Sequence, residues 1–269
     1  MKRTIYLVLA ILLASMVLFA SCSNKDAGTL ICGVTQFEPM NYLDADGNWT
    51  GFDTEFALLV GEKLGMKVEF QEITWSQKFV ELQSGAITCI WNGMTANTVD
   101  GTTGRPRHED VDFSYSYLLN QQCVVVRSDR AANFTTNNDL IGRTAAAEKG
   151  SAGETIAVQA IGPRGRVIDK TKQIDTFMEV MSGAVDFAIV DSILAHQVAG
   201  RGDFSNLMVA DIQLGSKMEV YAIGFRKGSD LVGKVNNAIV ELYNDGSLYM
   251  IASKYGLGES LVIGKDPIQ

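Results

Sequence analysis

Histidine and cysteine are scarce in this chain, with two of the first and four of the second in 269 residues. His108 and His196 stand far apart, and neither has neighbours spaced for a zinc site or a Ser-His-Asp arrangement, so the sequence offers nothing for those chemistries. The cysteines form no C-x-x-C pair and no metal-ligand pattern, and no cofactor or metal is implied. Cys32, Cys89 and Cys123 each lie in a strand-like apolar run, where a buried free thiol is the expected state, and one bridge, Cys32 to Cys89, stays open. Beyond the first twenty residues no stretch is apolar enough to cross a bilayer. Positive charge is also short, with 23 basic residues against 31 acidic ones. Nucleic acid demands basic patches, so a nucleic-acid partner is excluded.

The first residues supply what the rest lacks. Met1-Lys2-Arg3 opens a nearly unbroken apolar run from Ile5 to Ala20, which ends in Leu18-Phe19-Ala20-Ser21-Cys22. A basic start, a short apolar core and small residues before a cysteine describe a lipoprotein export signal over residues 1–21. Cys22 is then the acylated first residue of the mature chain and its attachment to the lipid bilayer. Losing Lys2 and Arg3 leaves 21 basic and 31 acidic residues, a net charge of −10. Such a surface resists self-association, and a monomer is expected.

After a polar tether over residues 22–29, strand-like and helix-like segments alternate nearly to the end, the pattern of an α/β fold. Leu30–Val34 reads as a strand, and Asp44-Ala45-Asp46-Gly47-Asn48 as a hairpin-like turn. Asp53 is placed as the N-cap of a helix carrying Phe56, Leu59, Val60 and Leu64 on one face, with Gly65 as its stop. Ser151 and Glu154 have capping-box spacing at the start of a helix over residues 152–160. Strands are also expected at Ile87–Trp91, Cys123–Arg127, Val185–Val190 and Glu219–Phe225.

Gly51-Phe52-Asp53-Thr54-Glu55-Phe56, with Val60-Gly61 and Leu64, resembles the signature segment of the polar-amino-acid family of extracytoplasmic solute-binding proteins of ABC importers. Further blocks follow in the family's order: Trp75, Leu82-Gln83-Ser84-Gly85, Asn92-Gly93-Met94-Thr95, Arg107, Val111-Asp112-Phe113-Ser114, Gly150-Ser151, Ser182-Gly183-Ala184-Val185-Asp186, Asp191 and Asn244-Asp245-Gly246-Ser247. The resemblance implies a two-lobed periplasmic-binding-protein-like fold of type II, each lobe a mainly parallel sheet flanked by helices, with the ligand cleft between them. Lobe 1 would comprise residues 30–118 plus 221–258 and lobe 2 residues 122–218, with a hinge near Leu118–Gln122 and Met218–Val220. The implied partners are a small amino-acid ligand and the membrane subunits of an importer. The location is extracytoplasmic, on the outer face of the cytoplasmic membrane or in a periplasm.

The resemblance also implies roles. Arg107 falls where the family grips the ligand α-carboxylate, a task for which the planar guanidinium fork is suited. The Thr95 amide and those of Ser151 and Ala152 at a helix start would add donors. Asp191 would take the α-ammonium, Asn92 and Gly93 would add polar contacts, and Phe37 and Trp75 would supply rings. Alternatives stand beside these roles. Arg107 could pair at the surface with Glu109 or Asp110, Arg105 is its rival, Asp191 could cap the helix at Ser192, and Phe37 and Trp75 could be core. Residues 97–104, about seven more than the family pattern holds, read as a longer surface loop. Glu148 is either a reader of the ligand side chain or an exposed strand end. Two other functions stay open: an exported enzyme of cyclohexadienyl-dehydratase type on the same fold, and a ligand-sensing partner of a separate receptor.

Overall fold

Gly51 shows how one residue without a side chain sets the start of a helix in lobe 1. It holds φ at +114° just ahead of the helix Phe52–Leu64, and a Cβ there would collide with the Met40 carbonyl oxygen. Strain in that region and a backbone collision act together. Gly51→Ala should cost about 3 kcal/mol and lower the unfolding midpoint by roughly 6–12 °C, as read by calorimetry.

The computed structural model describes residues 28–215 and 218–267. The export signal, Cys22 and most of the tether lie outside the described residues. The strands run β1 (Thr29–Val34), β2 (Tyr42–Leu43), β3 (Trp49–Thr50), β4 (Lys67–Glu72), β5 (Cys89–Ile90), β6 (Asp112–Phe113) and β7 (Ser116–Asn120). They continue as β8 (Gln122–Arg127), β9 (Thr144–Glu148), β10 (Arg166–Lys170), β11 (Phe187–Asp191) and β12 (Leu207–Val209). The chain closes with β13 (Glu219–Tyr221), β14 (Gly224–Phe225) and β15 (Leu261–Gly264).

Two five-stranded sheets, ordered β4-β1-β5-β14-β6 and β10-β9-β11-β8-β12, form the two lobes of an α/β fold. Each is mixed rather than mainly parallel: β1 pairs parallel with β4 and β5, but β14 returns antiparallel, and β8 does the same beside β11 in the second sheet. The reversal arises because β8 and β14 enter their lobes from the crossing segments, opposite to the strands that the helices connect. Those crossings pair as β7 with β13, Asn120 opposite Glu219 and Leu118 opposite Tyr221. The expected single strand Glu219–Phe225 is split into β13, in a three-stranded sheet ordered β13-β7-β15, and β14, in the sheet of lobe 1.

Under lobe 1 lies an aromatic cluster in which Phe56 meets Trp91 edge-on at 5.1 Å between centroids and Tyr117 at 5.4 Å. Asp53 is not the N-cap of its helix, because Gly51 occupies that place. Its fully buried carboxylate instead accepts from the Gly93 amide at 2.7 Å and the Tyr117 hydroxyl at 3.0 Å, fixing the turn that bears Asn92 and Gly93. Burial pushes the Asp53 carboxyl up to about 7, against the pull of those two donors. Cys32 and Cys89, register partners on β1 and β5, are buried free thiols with sulfurs 3.7 Å apart. Among the described residues no helix is long and apolar enough to cross a membrane.

Candidate functional site

The strands of both lobes end at the interface between them, where open α/β sheets place their ligands. Phe37, Trp75, Asn92, Gly93, Thr95 and Arg107 from lobe 1 meet Ser151 and Asp191 from lobe 2 around one narrow cavity. All eight residues singled out in the sequence line it. Glu148, Ala152 and Gln173 complete the wall. A wider groove bordered by His196, Asp211 and Gln213 lies open on lobe 2 and holds none of the eight.

Arg107 opens a short helix after Pro106 and is buried. Its Nε donates to Asp100 at 3.2 Å, Nη1 to the Thr95 carbonyl at 2.9 Å and Nη2 to the Gly150 carbonyl at 2.9 Å. A guanidinium has five N–H donors, so one on each terminal nitrogen is left for an incoming carboxylate. Arg105, the rival, is exposed and paired with Asp110, which also removes that partner from Arg107.

Ser151 caps the helix Ala152–Ile161 by accepting from the Glu154 amide at 3.0 Å. The capping box is not reciprocal, since the Glu154 side chain accepts from Gly150 at 2.6 Å rather than from Ser151. The helix start still faces the cavity with its positive end.

Asp191 ends β11 and makes no side-chain cap for the following helix. Its Oδ1 accepts from Gln122 at 2.8 Å, from the Tyr221 hydroxyl at 2.9 Å and from Asn120, while Oδ2 accepts from Gln173. Neutral donors therefore hold a buried carboxylate in place without cancelling its charge. Burial raises its pKa, and the amide and hydroxyl donors oppose that rise. Asn120 and Gln122 also donate to Glu219, at 2.8 and 2.9 Å, so the two amides bridge two carboxylates at the crossing strands. Burial, then the charge of Asp191, brings Glu219 up to about 7. Thr95 turns its hydroxyl to Glu219 at 3.3 Å.

Asn92 lines the cavity, but its side chain is spent on Thr35, which donates to Oδ1 at 2.7 Å and accepts from Nδ2 at 3.0 Å. The turn it stabilises carries Gly93 at φ +54°, where a Cβ would strike the Phe37 ring at 2.6 Å. Phe37 and Trp75 are buried. Trp75 has the Lys78 ammonium 4.9 Å and the Arg107 guanidinium 5.7 Å from its ring centre, so it is a wall of the site as well as core.

Glu148 is not an exposed strand end. It is 4% exposed at the close of β9, and its Oε1 has no hydrogen-bond partner. Burial, then the nearby charge of Asp191, pushes its carboxyl up to about 8 despite Lys78 and Arg107.

Residues 97–104 are not a plain surface loop either. Their hairpin buries Asp100 completely, between Lys78 at 2.6 Å and Arg107. Lys78, Asp100, Gln173 and Glu219 are invisible as site residues in the sequence. The one available signal is the polar hairpin sitting just ahead of Arg107.

The family model for bacterial extracellular solute-binding proteins, family 3, matches residues 30–258. The arginine-binding extracellular protein ArtP of Bacillus subtilis is 27% identical over 93% of this chain and 98% of its own length. The L-cystine-binding protein TcyA of the same organism is 30% identical over 87% of this chain and 83% of its own. Among solved structures, an ABC uptake transporter substrate-binding protein from Streptococcus pneumoniae with bound histidine superposes with a TM-score of 0.76 at 29% identity, covering 88% of this chain and 95% of that one. With the family model spanning both lobes, and a cleft in which cation and carboxylate face each other, the chain belongs to family 3 of the bacterial extracellular solute-binding proteins.

Proposed function

We propose that this protein is the capture subunit of an ABC importer, tethered outside the cell membrane by acylated Cys22, and that its ligand is an amino acid with a positively charged side chain. Lobe 1 docks the α-carboxylate on the two spare N–H groups of Arg107 and on the Thr95 backbone. Closure then brings the Ser151 helix start and Asp191 across it, with the α-ammonium on Asp191. Phe37 and Trp75 exclude water and strengthen these contacts. The crossing strands β7 and β13 serve as the hinge between residues 30–118 plus 221–258 and residues 122–218.

The observation that carries the choice of ligand is Glu148. A buried carboxyl whose Oε1 has no hydrogen-bond partner, in the same cavity as Arg107 and Asp191, is the kind of acceptor that a guanidinium or ammonium satisfies. ArtP, whose name states arginine binding, is a fitting relative. A thermal-shift panel of the twenty amino acids on the mature protein tests this. L-Arginine or L-lysine at a thousandfold excess over Kd should contribute about 4 kcal/mol, a rise of roughly 10 °C. Stabilisation by glutamate in preference to both would contradict the choice of ligand.

A carboxyl that stays protonated near neutrality is also what a general acid requires, which favours a dehydratase as the second reading. Asp191 counts against it, because an amine-free cyclic acid gives that carboxylate nothing to bind. Turnover of a cyclohexadienyl acid, with no amino acid bound, would reverse the order of the two readings.

A further inference from the structure

The hairpin 97–106 contacts the crossing segment as well as lobe 2. At its root, the Asn97 side chain donates to the Met218 carbonyl at 2.9 Å and accepts from the Val220 amide at 3.1 Å, which ties it to the crossing segment. Val99 and Pro106 bridge its two arms. Across the cleft, Thr155 of lobe 2 donates to the Val99 carbonyl at 3.2 Å, and Gly101 sits so close to Glu154 that a Cβ would collide with its Oε2.

Asp100 lies at the centre of this hairpin. Its Oδ1 accepts from the amides of Thr102 and Thr103, at 3.0 and 3.2 Å, and shapes the turn. Its Oδ2 faces inward and takes both Lys78 and Arg107. Both cations are buried, and both donate to a single lobe-2 acceptor, the Gly150 carbonyl, at 3.1 Å from Lys78 and 2.9 Å from Arg107. Two like charges converging on one carbonyl in a dry site repel strongly unless an anion lies between them. Asp100 is the only carboxylate among the described residues that contacts both.

We propose that Asp100 is a positioning residue for the ligand carboxylate site: its charge holds Arg107 and Lys78 together on Gly150, clasping lobe 1 to the helix start of lobe 2 and aiming the spare donors of Arg107 into the cavity. The proposal rests on the reading of Arg107 as the carboxylate-binding group. The balance of charge agrees with it. Burial and Arg107 pull Lys78 down to about 8 against the support of Asp100, while Arg107 and Lys78 overcome burial and hold Asp100 below the usual carboxylate range.

Asp100→Asn keeps an Oδ1 for the turn and replaces the charged Oδ2 acceptor with a neutral N–H donor. Without ligand, D100N should unfold roughly 5 °C or more below the wild type, and D100N with Lys78→Met, which removes one of the two repelling cations, should regain more than half of that loss. In calorimetric titration with L-arginine, D100N should bind at least about tenfold more weakly, and the double variant should recover toward the wild type. A role confined to shaping the loop would be met equally by asparagine and would show no rescue by K78M. Unliganded D100N unfolding within about 1 °C of the wild type, or a double variant worse than D100N alone, would overturn the proposal. Failure of the wild type itself to bind L-arginine would count against the ligand reading instead, and the unliganded arm would still decide the role of Asp100.

Discussion

Replacing Arg107 with alanine should weaken amino-acid binding by about 100-fold to 10,000-fold while leaving the far-UV circular dichroism of the protein unchanged. Two charge-assisted hydrogen bonds to the carboxylate contribute about 1.5–3 kcal/mol each, which sets that range. Part of the loss would be indirect. Removing the guanidinium strips the Thr95 and Gly150 carbonyls of a donor and leaves Asp100 paired with Lys78 alone, so the unliganded midpoint should fall by several degrees as well. Arg105→Ala is the control. That side chain is exposed and paired with Asp110, so its loss should change affinity less than about twofold, as expected of a surface pair. Equal losses for the two variants, measured by calorimetry, would mean that the carboxylate is held elsewhere.

Glu148→Gln should have the second largest effect, and an unusual pH signature. The folded protein keeps the Glu148 proton up to about pH 8, whereas the ordinary value is 4.5. The stability linked to this proton is therefore fully present below about 4.5 and is lost as the pH rises through 8. The unliganded midpoint should fall between pH 5 and 8, with Asp53 and Glu219 adding in the same direction. A cationic side chain docking on Glu148 favours its ionised form and expels the proton. Wild-type affinity for such a ligand should then rise with pH between about 6 and 8, by up to about tenfold per unit for each proton released. Calorimetry in buffers of different ionisation enthalpy counts those protons. In the Glu148→Gln variant about one fewer proton should be released at pH 7, the affinity should drop by about 10-fold to 100-fold, and the decline of unliganded stability should flatten. Unchanged proton release would remove Glu148 from contact with the ligand.

Local patterning makes much of the fold legible. The apolar face of Phe52–Leu64, the left-handed Gly65 that ends it and the serine cap at Ser151 depend on neighbours in sequence, and each occurs in the structure. Asp53 departs from its expected capping role for a long-range reason. A capping aspartate and one that reaches a backbone amide forty residues away look alike along the chain, and only the packing of Gly93 and Tyr117 over the helix start separates them. The order of the motif blocks brings eight residues to one cavity, because the family frame carries three-dimensional information that periodicity does not. What escapes is the network behind those eight. Asn120, Gln122 and Glu219 are buried at the crossing strands, where Asn120 stands opposite Glu219, and local sequence does not show that pairing. Nothing near Lys78 or Asp100 in the sequence marks either as buried, because the pairing that makes their burial tolerable spans both hairpin and helix.

Under the proposed function the cleft reads both charged ends of an amino acid, through Arg107 and Asp191. Calorimetric titration of the mature protein with L-arginine and with agmatine, which keeps the guanidinium but lacks the carboxylate, tests that claim most directly. Binding of L-arginine with agmatine at least about a thousandfold weaker is predicted, from the loss of the Arg107 and helix-start contacts together. Agmatine binding as tightly as L-arginine would contradict the account, because the carboxylate clamp would then contribute nothing.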